Sequence, residues 1–340
     1  MTDSRLPDDW LHALPTVLAG GDCVLVTVAR TQGSAPRGAG TSMLVGTAHC
    51  VDTIGGGHLE WQAIHHARRL LDAGNRQPAL LRYNLGARLG QCCGGVVWLL
   101  FESLPATSAD AWKSRISAVD RNICLERRLT YRSAASDWRL SEQPGSGNRL
   151  DGDAADWRFH QGIVDSRFPV MLFGAGHVAR ALVRQLQPLG ARITWIDSRD
   201  DAFADVAVDG ICTLITDIPE SEVRNAPAGS YFLVMTHNHS LDFALCEEIF
   251  KRRDFAYFGL IGSHSKRASF EHRLRDRGLP AERFDELTCP IGIAGIVGKE
   301  PAAIALAVAA QMLQIENSRH LLRQAGQRRL SDPHRLPEEP

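Results

Sequence analysis

The chain has 340 residues, enough for two domains that each bury a core. Hydrophobic residues make up 44% and charged residues 23%, an ordinary balance for a folded globular protein. The formal net charge of -1 excludes a global basic field for nucleic acid or anionic lipid, so an anion site must be local.

The start, MTDSRLPDDW, is acidic and lacks the basic-then-apolar layout of a signal peptide. No apolar run reaches the ~18 residues of a spanning helix, so no membrane association is expected. From 8 to 102, apolar strands alternate with helical patches. CVLVTVAR (23–30) reads as a buried strand, and TSMLVG with HCVDTIG as a strand pair. LEWQAIHHARRLL (59–71) has apolar residues at helical spacing, and GVVWLLFE (95–102) is a further buried strand. The stretch 103–168 changes character, passing from alternating ICLERRLTYR and WRLSE into the turn-rich QPGSGNRLDGDAAD. From 168 onward the pattern is α/β. The strand–turn PVMLFGAG leads into an amphipathic helix ending at Gly190, then ARITWID and three more apolar runs of strand length. A last helix is predicted to open at Pro301 and run to 317.

The expected organisation is α/β: an N-terminal α/β domain over 1–105 and a strand-containing linker over 106–166. A Rossmann-like parallel sheet over 167–317 and a polar, disordered tail over 318–340 follow. The eight cysteines are Cys23, Cys50, Cys92, Cys93, Cys124, Cys212, Cys246 and Cys289. They form neither a CxxC pair nor a disulfide-type spacing, which fits a reducing cytoplasm.

Gly174-Ala-Gly176-His-Val-Ala179 follows a strand and opens a helix, as the GxGxxA dinucleotide fingerprint requires. Gly174 permits the tight turn, and Gly176 lets a phosphate approach the backbone. Free N–H groups at the helix start face the ligand. Asp197, ending the next strand, stands where an acid would hold a ribose 2′-hydroxyl. The same glycines serve a ligand-free strand–helix turn equally, and His177 suits packing at a helix start as well as contact with a ligand. An NAD-dependent oxidoreductase is the alternative function these residues raise. No catalytic partner set accompanies them, so a carrier is favoured over an enzyme.

Three further glycine loops precede this turn: Gly33-Ser-Ala-Pro-Arg37, Gly55-Gly56-Gly57-His58-Leu-Glu60, and Gly90-Gln91-Cys92-Cys93-Gly94-Gly95. Consecutive glycines expose backbone N–H groups, a nest for phosphate or the polar edge of a heterocycle. Arg37 supplies a fixed cation, and Gln91 can donate and accept as a pterin edge needs. Cys92 and Cys93 are soft thiols suited to touching molybdenum or carrying a persulfide, Cys92 being the candidate molybdenum contact. The bland readings stand beside these: turn-making glycines, buried cysteines, and Glu60 favouring a helix start.

Taken in order, TQGSAPRGAGTSMLV, IGGGHLE, LGQCCGGVV, VMLFGAGHVA, VMTHNHSLD, YFGLIGSHSKR and GKEPAAIALAVAAQML resemble the XdhC/CoxI family of molybdenum-hydroxylase maturation proteins. The resemblance implies a homodimer that binds molybdenum cofactor (molybdopterin) and protects it. It further implies cooperation with a cysteine desulfurase and insertion into the molybdenum subunit of xanthine dehydrogenase. It points to Arg37, Gly56, Glu60, Gln91 and Cys92 as site residues. Gly174, Gly176, His177, Asp197, His237 and Cys93 join them from the motifs. The chain departs from the CoxI pattern in one place, with His58 where those relatives carry cysteine. The histidines of THNHSLD give weak support for a metal, lacking a clear third ligand.

Overall fold

The structure, a computed structural model, describes residues 9–86, 94–142, 147–153, 155–206 and 210–331, with side chains as far as 319. Two compact units divide the chain, Met1–Asp165 and Ser166–Pro340.

The first unit opens with α1 (Trp10–Ala19), whose start is capped by Asp9 accepting from Leu11 N at 2.9 Å. Five strands then build an antiparallel sheet around α2 (Gly57–Asp72). They are β1 (Cys23–Gln32), β2 (Ser42–Val45), β3 (Cys50–Val51), β4 (Ala79–Asn84) and β5 (Val96–Leu104), in the order β3-β2-β1-β5-β4. The continuous apolar run of β1 is explained by burial on both faces. Val24, Val26 and Val28 pack under Leu59, Ala63 and Ala67 of α2. Cys23 and Leu25 face Leu14 of α1 and Trp112 of α3 (Ala109–Val119).

Within 106–166, expected as a strand-containing linker, residues up to 165 belong to the first unit and carry α3 and a four-stranded antiparallel sheet. Its strands are β6 (Cys124–Thr130), β7 (Asp137–Ser141), β8 (Arg149–Asp153) and β9 (Asp156–Ile163), ordered β7-β6-β9-β8. The segment folds because β6 and β9 bury alternate residues. Leu129, Leu150, Trp157 and Phe159 close against Ala29, Trp98 and Leu100 of the first sheet. Arg127 lies on that same inner face and is fully buried.

The second unit is a parallel sheet of β10 (Phe168–Phe173), β11 (Ala191–Asp197), β12 (Cys212–Ile215), β13 (Tyr231–Val234) and β14 (Tyr257–Leu260). The order is β12-β11-β10-β13-β14. α4 (His177–Leu186) and α8 (Pro301–Ser331) cover one face over Val170, Leu172 and Trp195. On the other face α5 (Pro219–Asn225), α6 (His239–Phe250) and α7 (His264–Asp276) pack over Met171, Phe173 and Phe232. This is the doubly wound, Rossmann-like arrangement, with its reversal of strand order between β10 and β13. α8 extends to Ser331, past the expected end at 317. Good helix formers continue beyond 317, and the first proline after Pro301 is Pro333. Of the tail expected to be disordered, 332–340 lies outside the described residues.

Candidate functional site

In the first unit the glycine loops meet. A Cβ on Gly95 would stand 2.2 Å from Ser34 O, and one on Gly33 would stand 3.3 Å from Gly95 Cα. A Cβ on Gly55 would stand 2.4 Å from Pro36 Cβ and 3.4 Å from Arg37 Cγ. These glycines are therefore required by close approach of neighbouring chain, and Gly55 also sits at φ 121°. Gly56 differs. It has φ 73° yet a Cβ there would meet no atom within 4 Å, so its far side is open. It caps the start of α2 without a side-chain bond, and Arg37 is exposed beside this opening.

Glu60 turns back onto its own loop. Its Oε2 accepts from Ile54 N at 3.0 Å, Gly56 N at 3.1 Å and the Thr53 hydroxyl. It fixes the loop that a ligand would meet, and its negative charge suits that role better than contact with phosphate. His58 stacks on Trp61, with ring centroids 5.4 Å apart, and Trp61 meets His65 edge-on. All three lie on the exposed face of α2, while His66 tilts inward against Phe101. Gln91, Cys92 and Cys93, the candidate pterin and molybdenum contacts, lie outside the described residues.

In the second unit a cleft open to solvent sits at the carboxyl ends of β10, β11 and β13. This is the strand-order reversal, where open α/β sheets bind ligands. Phe173, Ile196, Pro219, Leu241 and Leu245 give it apolar walls, and Gly174, Asp197, Ser198, Thr236 and His237 polar edges. Gly174 has φ 104°, and a Cβ would stand 2.4 Å from Met235 O. Gly176, with φ -76° at the cap of α4, would place a Cβ in open space. His177 follows it as the first, exposed residue of the helix. The parallel register of β10, β11 and β13 thus brings Gly174, Asp197 and His237 to one cleft, with Gly176 and His177 at the helix start beside it.

Asp197 departs from its expected role. Its Oδ2 accepts from Ala175 N at 2.7 Å and Arg199 Nη2 at 2.9 Å. Its Oδ1 accepts from Arg199 N at 3.0 Å and Arg199 Nε at 2.9 Å. Four donors occupy the four lone-pair directions of a carboxylate that is only 6% exposed. Burial pushes its pKa up, but the Arg199 guanidinium and the two amides outweigh this and hold it below the ordinary value. A ribose hydroxyl would have to displace a bidentate guanidinium. Arg199 was missed by motif reading, although its spacing two residues beyond Asp197 was visible.

The THNHSLD motif is also committed inward. Asn238 caps α6 by accepting from Ser240 N and Leu241 N. Asp242 is buried, accepts from Thr236 N and Oγ1, and receives Lys266 Nζ at 2.6 Å. Lys266 and Arg267 therefore serve the fold, Arg267 bonding Glu271 and Phe284 O. His237 remains exposed at the cleft. Among the described residues, no group of three or more His, Cys, Asp or Glu could hold a metal. Cys246 is buried, and desolvation drives its thiol well above the ordinary range. Burial likewise takes Cys23 up to about 12, so both are packing residues. Among the described residues, no helix is long and apolar enough to cross a membrane.

Two family models match the chain, the XdhC and CoxI family over residues 17–84 and the XdhC Rossmann domain over 170–312. The uncharacterized protein YqeB of Escherichia coli (strain K12) is 29% identical over 154 residues, 44% of this chain and 27% of its own length. The match thus spans about a quarter of that relative. A Bacillus halodurans protein, described as a xanthine dehydrogenase, shares the fold. Its crystal structure aligns at TM-score 0.72 and 20% identity over 92% of this chain and 97% of its own. With the first model ending at the close of β4 and the second running from β10 into α8, this chain belongs to the XdhC and CoxI family.

Proposed function

We propose that this chain is a carrier for a molybdopterin-type cofactor. In this reading it binds and protects the cofactor in the cytoplasm and serves its insertion into the molybdenum subunit of a xanthine dehydrogenase. Membership of the XdhC and CoxI family supports a role in xanthine dehydrogenase maturation. The observation that carries the cofactor reading is the meeting of the GSAPR loop, Gly55–Gly56 and Gly95 around an opening edged by Arg37. Backbone amides and one guanidinium suit a phosphate and a polar ring edge. Gly56 leaves the space that a side chain would fill. Arg37 would take the phosphate, and Glu60 would hold the loop rigid from behind. Gln91 would meet the pterin edge, and Cys92 or Cys93, immediately before Gly94–Gly95 in the chain, would supply the thiol. When bound, the cofactor brings the molybdenum centre that its acceptor enzyme uses.

The same reading extends to a homodimer and to a cysteine desulfurase that provides sulfur while the cofactor is held. The second-unit cleft, with Gly174, Gly176, His177 and His237, is the alternative place at which the cofactor would bind. A ribose is disfavoured there because Asp197 is already satisfied by Arg199 and Ala175.

Anaerobic titration of the purified protein with molybdopterin and, separately, with NADH tests the reading, following retained ligand and molybdenum after filtration. Stoichiometric retention of molybdopterin is expected. Arg37→Ala should weaken it by about 1–3 kcal/mol, the worth of a charged hydrogen bond. Retention of NADH alone would sink the carrier reading and turn the search to a dehydrogenase substrate.

A further inference from the structure

Beyond the bonds of Gly40 N to Val28 O and of Ser42 Oγ to Gly40 O, the GSAPRGAG loop is held at three points, and only two of them belong to the other glycine loops. Gly95 braces Gly33 and Ser34, and Gly55 braces Pro36. The third hold comes from the sheet β6–β9. Gln161 Nε2 of β9 donates to Gly40 O at 3.0 Å, and Asn148 Nδ2, just before β8, donates to Ala39 O at 3.3 Å. Gly40 has φ 96° and lies so close to Asn148 that a Cβ would stand 1.9 Å from Nδ2.

Behind Gln161 runs a buried polar chain. Arg127 Nη1 donates to Gln161 Oε1 at 3.3 Å and to Thr27 Oγ1 at 2.9 Å. Its Nη2 and Nε donate to Glu102 Oε2 at 2.6 and 3.1 Å, and Nε also to Ser136 Oγ. Arg127, Glu102, Thr27 and Gln161 are all at most 3% exposed. A buried ion pair is a costly way to fill a core, and register between elements is its best-attested use. Here the network links β1, β5, β6 and β9, and its outlet is the carbonyl of the last residue of the Arg37 loop.

We propose that the β6–β9 sheet is a clamp for this loop, with Gln161 and Asn148 as positioning residues and Arg127 setting the Gln161 amide. The proposal that the clamp serves ligand binding rests on the cofactor reading above; the mechanical part does not. Gln161 fixes where the loop returns to the sheet at Gly40. The loop then needs little ordering when an anion arrives at Arg37, which favours binding.

The experiment is amide exchange on the full chain without ligand, read at Gly40 and Thr41, whose N–H groups donate to Val28 O and Gly38 O. Gln161→Glu retains an acceptor for Arg127 and loses the donor to Gly40, Gln161→Leu loses both, and Asn148→Ala loses the second hold. Exchange at these two amides should rise about tenfold in either Gln161 variant and less in Asn148→Ala, with the centres of β1 and β5 unchanged. Unchanged exchange in both Gln161 variants, or a rise shared evenly by β1 and β5, would overturn the clamp. Molybdopterin retention by Gln161→Glu should fall by a similar factor. Full retention on a loosened loop would cut the clamp's link to binding. If wild type retains no molybdopterin while the local rise is present, the cofactor reading fails and the clamp stands.

Discussion

In each unit an ion pair lies beneath a loop of interest, and the two pairs are built differently. Glu102–Arg127 in the first unit is essentially sealed from water, at 1% and 0% side-chain exposure. It joins strands of two sheets, with Trp138 and Phe159 rings 5.2 and 5.5 Å from the guanidinium carbon. Asp242–Lys266 in the second unit joins neighbouring helices at the sheet edge, with the lysine 11% exposed. The planar fork of arginine can satisfy partners on several elements at once, whereas an ammonium is a compact charge that ties one neighbour to another. Loss of the first should disturb a core; loss of the second should free a loop.

Breaking the pairs one partner at a time sharpens that contrast. Glu102→Gln leaves a buried guanidinium without its counter-charge and should cost about 3–5 kcal/mol, read as a lower denaturant midpoint for the first unit. A loss no larger than the ~2 kcal/mol expected of Lys266→Met would mean that the two pairs are energetically alike. Next in size is Gly174→Ala, expected to cost about 3 kcal/mol through its clash with Met235 O and its positive φ. Gly176→Ala should stay within about 0.5 kcal/mol in the same unfolding experiment, since nothing in the chain opposes its Cβ. Equal losses at the two glycines would show that the open space at Gly176 is not real in solution. Lys266→Met should cost about 2 kcal/mol and speed exchange at the Thr236 amide, leaving the first unit's midpoint alone.

Arg199→Gln carries a pH signature. Asp197 titrates below its ordinary 3.8 in the folded chain, so its contribution is complete above about pH 4 and fades as pH falls through the folded value. Removing the guanidinium lets the carboxyl rise, so wild type should lead the variant at neutral pH and converge with it as pH falls through the folded value. Urea midpoints across that range check it; a gap that widens on acidification would mean that Arg199 does not stabilise the charged carboxylate.

Much of the fold was legible in the residues themselves. The apolar strand runs, the left-handed stop at Gly190 and the strand–Gly174–helix turn follow from local backbone physics. The order of the motifs was enough to suggest the family. The middle segment was harder because its polar turns dominate by composition. Yet Leu125, Arg127 and Leu129 alternate along one strand, a pattern that puts a charge on the inner face.

What sequence alone determined, then, were the elements and the positions at which only glycine fits a turn. Tertiary structure decided what the polar groups do. Glu60 and Asp197 sit in loops that motifs mark for ligands, yet Glu60 spends its lone pairs on its own loop and Asp197 on Arg199 and the Ala175 amide. Arg127 finds its carboxylate 25 residues back and Gln161 34 residues on. A hydrogen bond depends on distances of about 3 Å. Spacing along the chain constrains those distances only within a turn or a strand pair, so partners brought together by two packed sheets were beyond its reach.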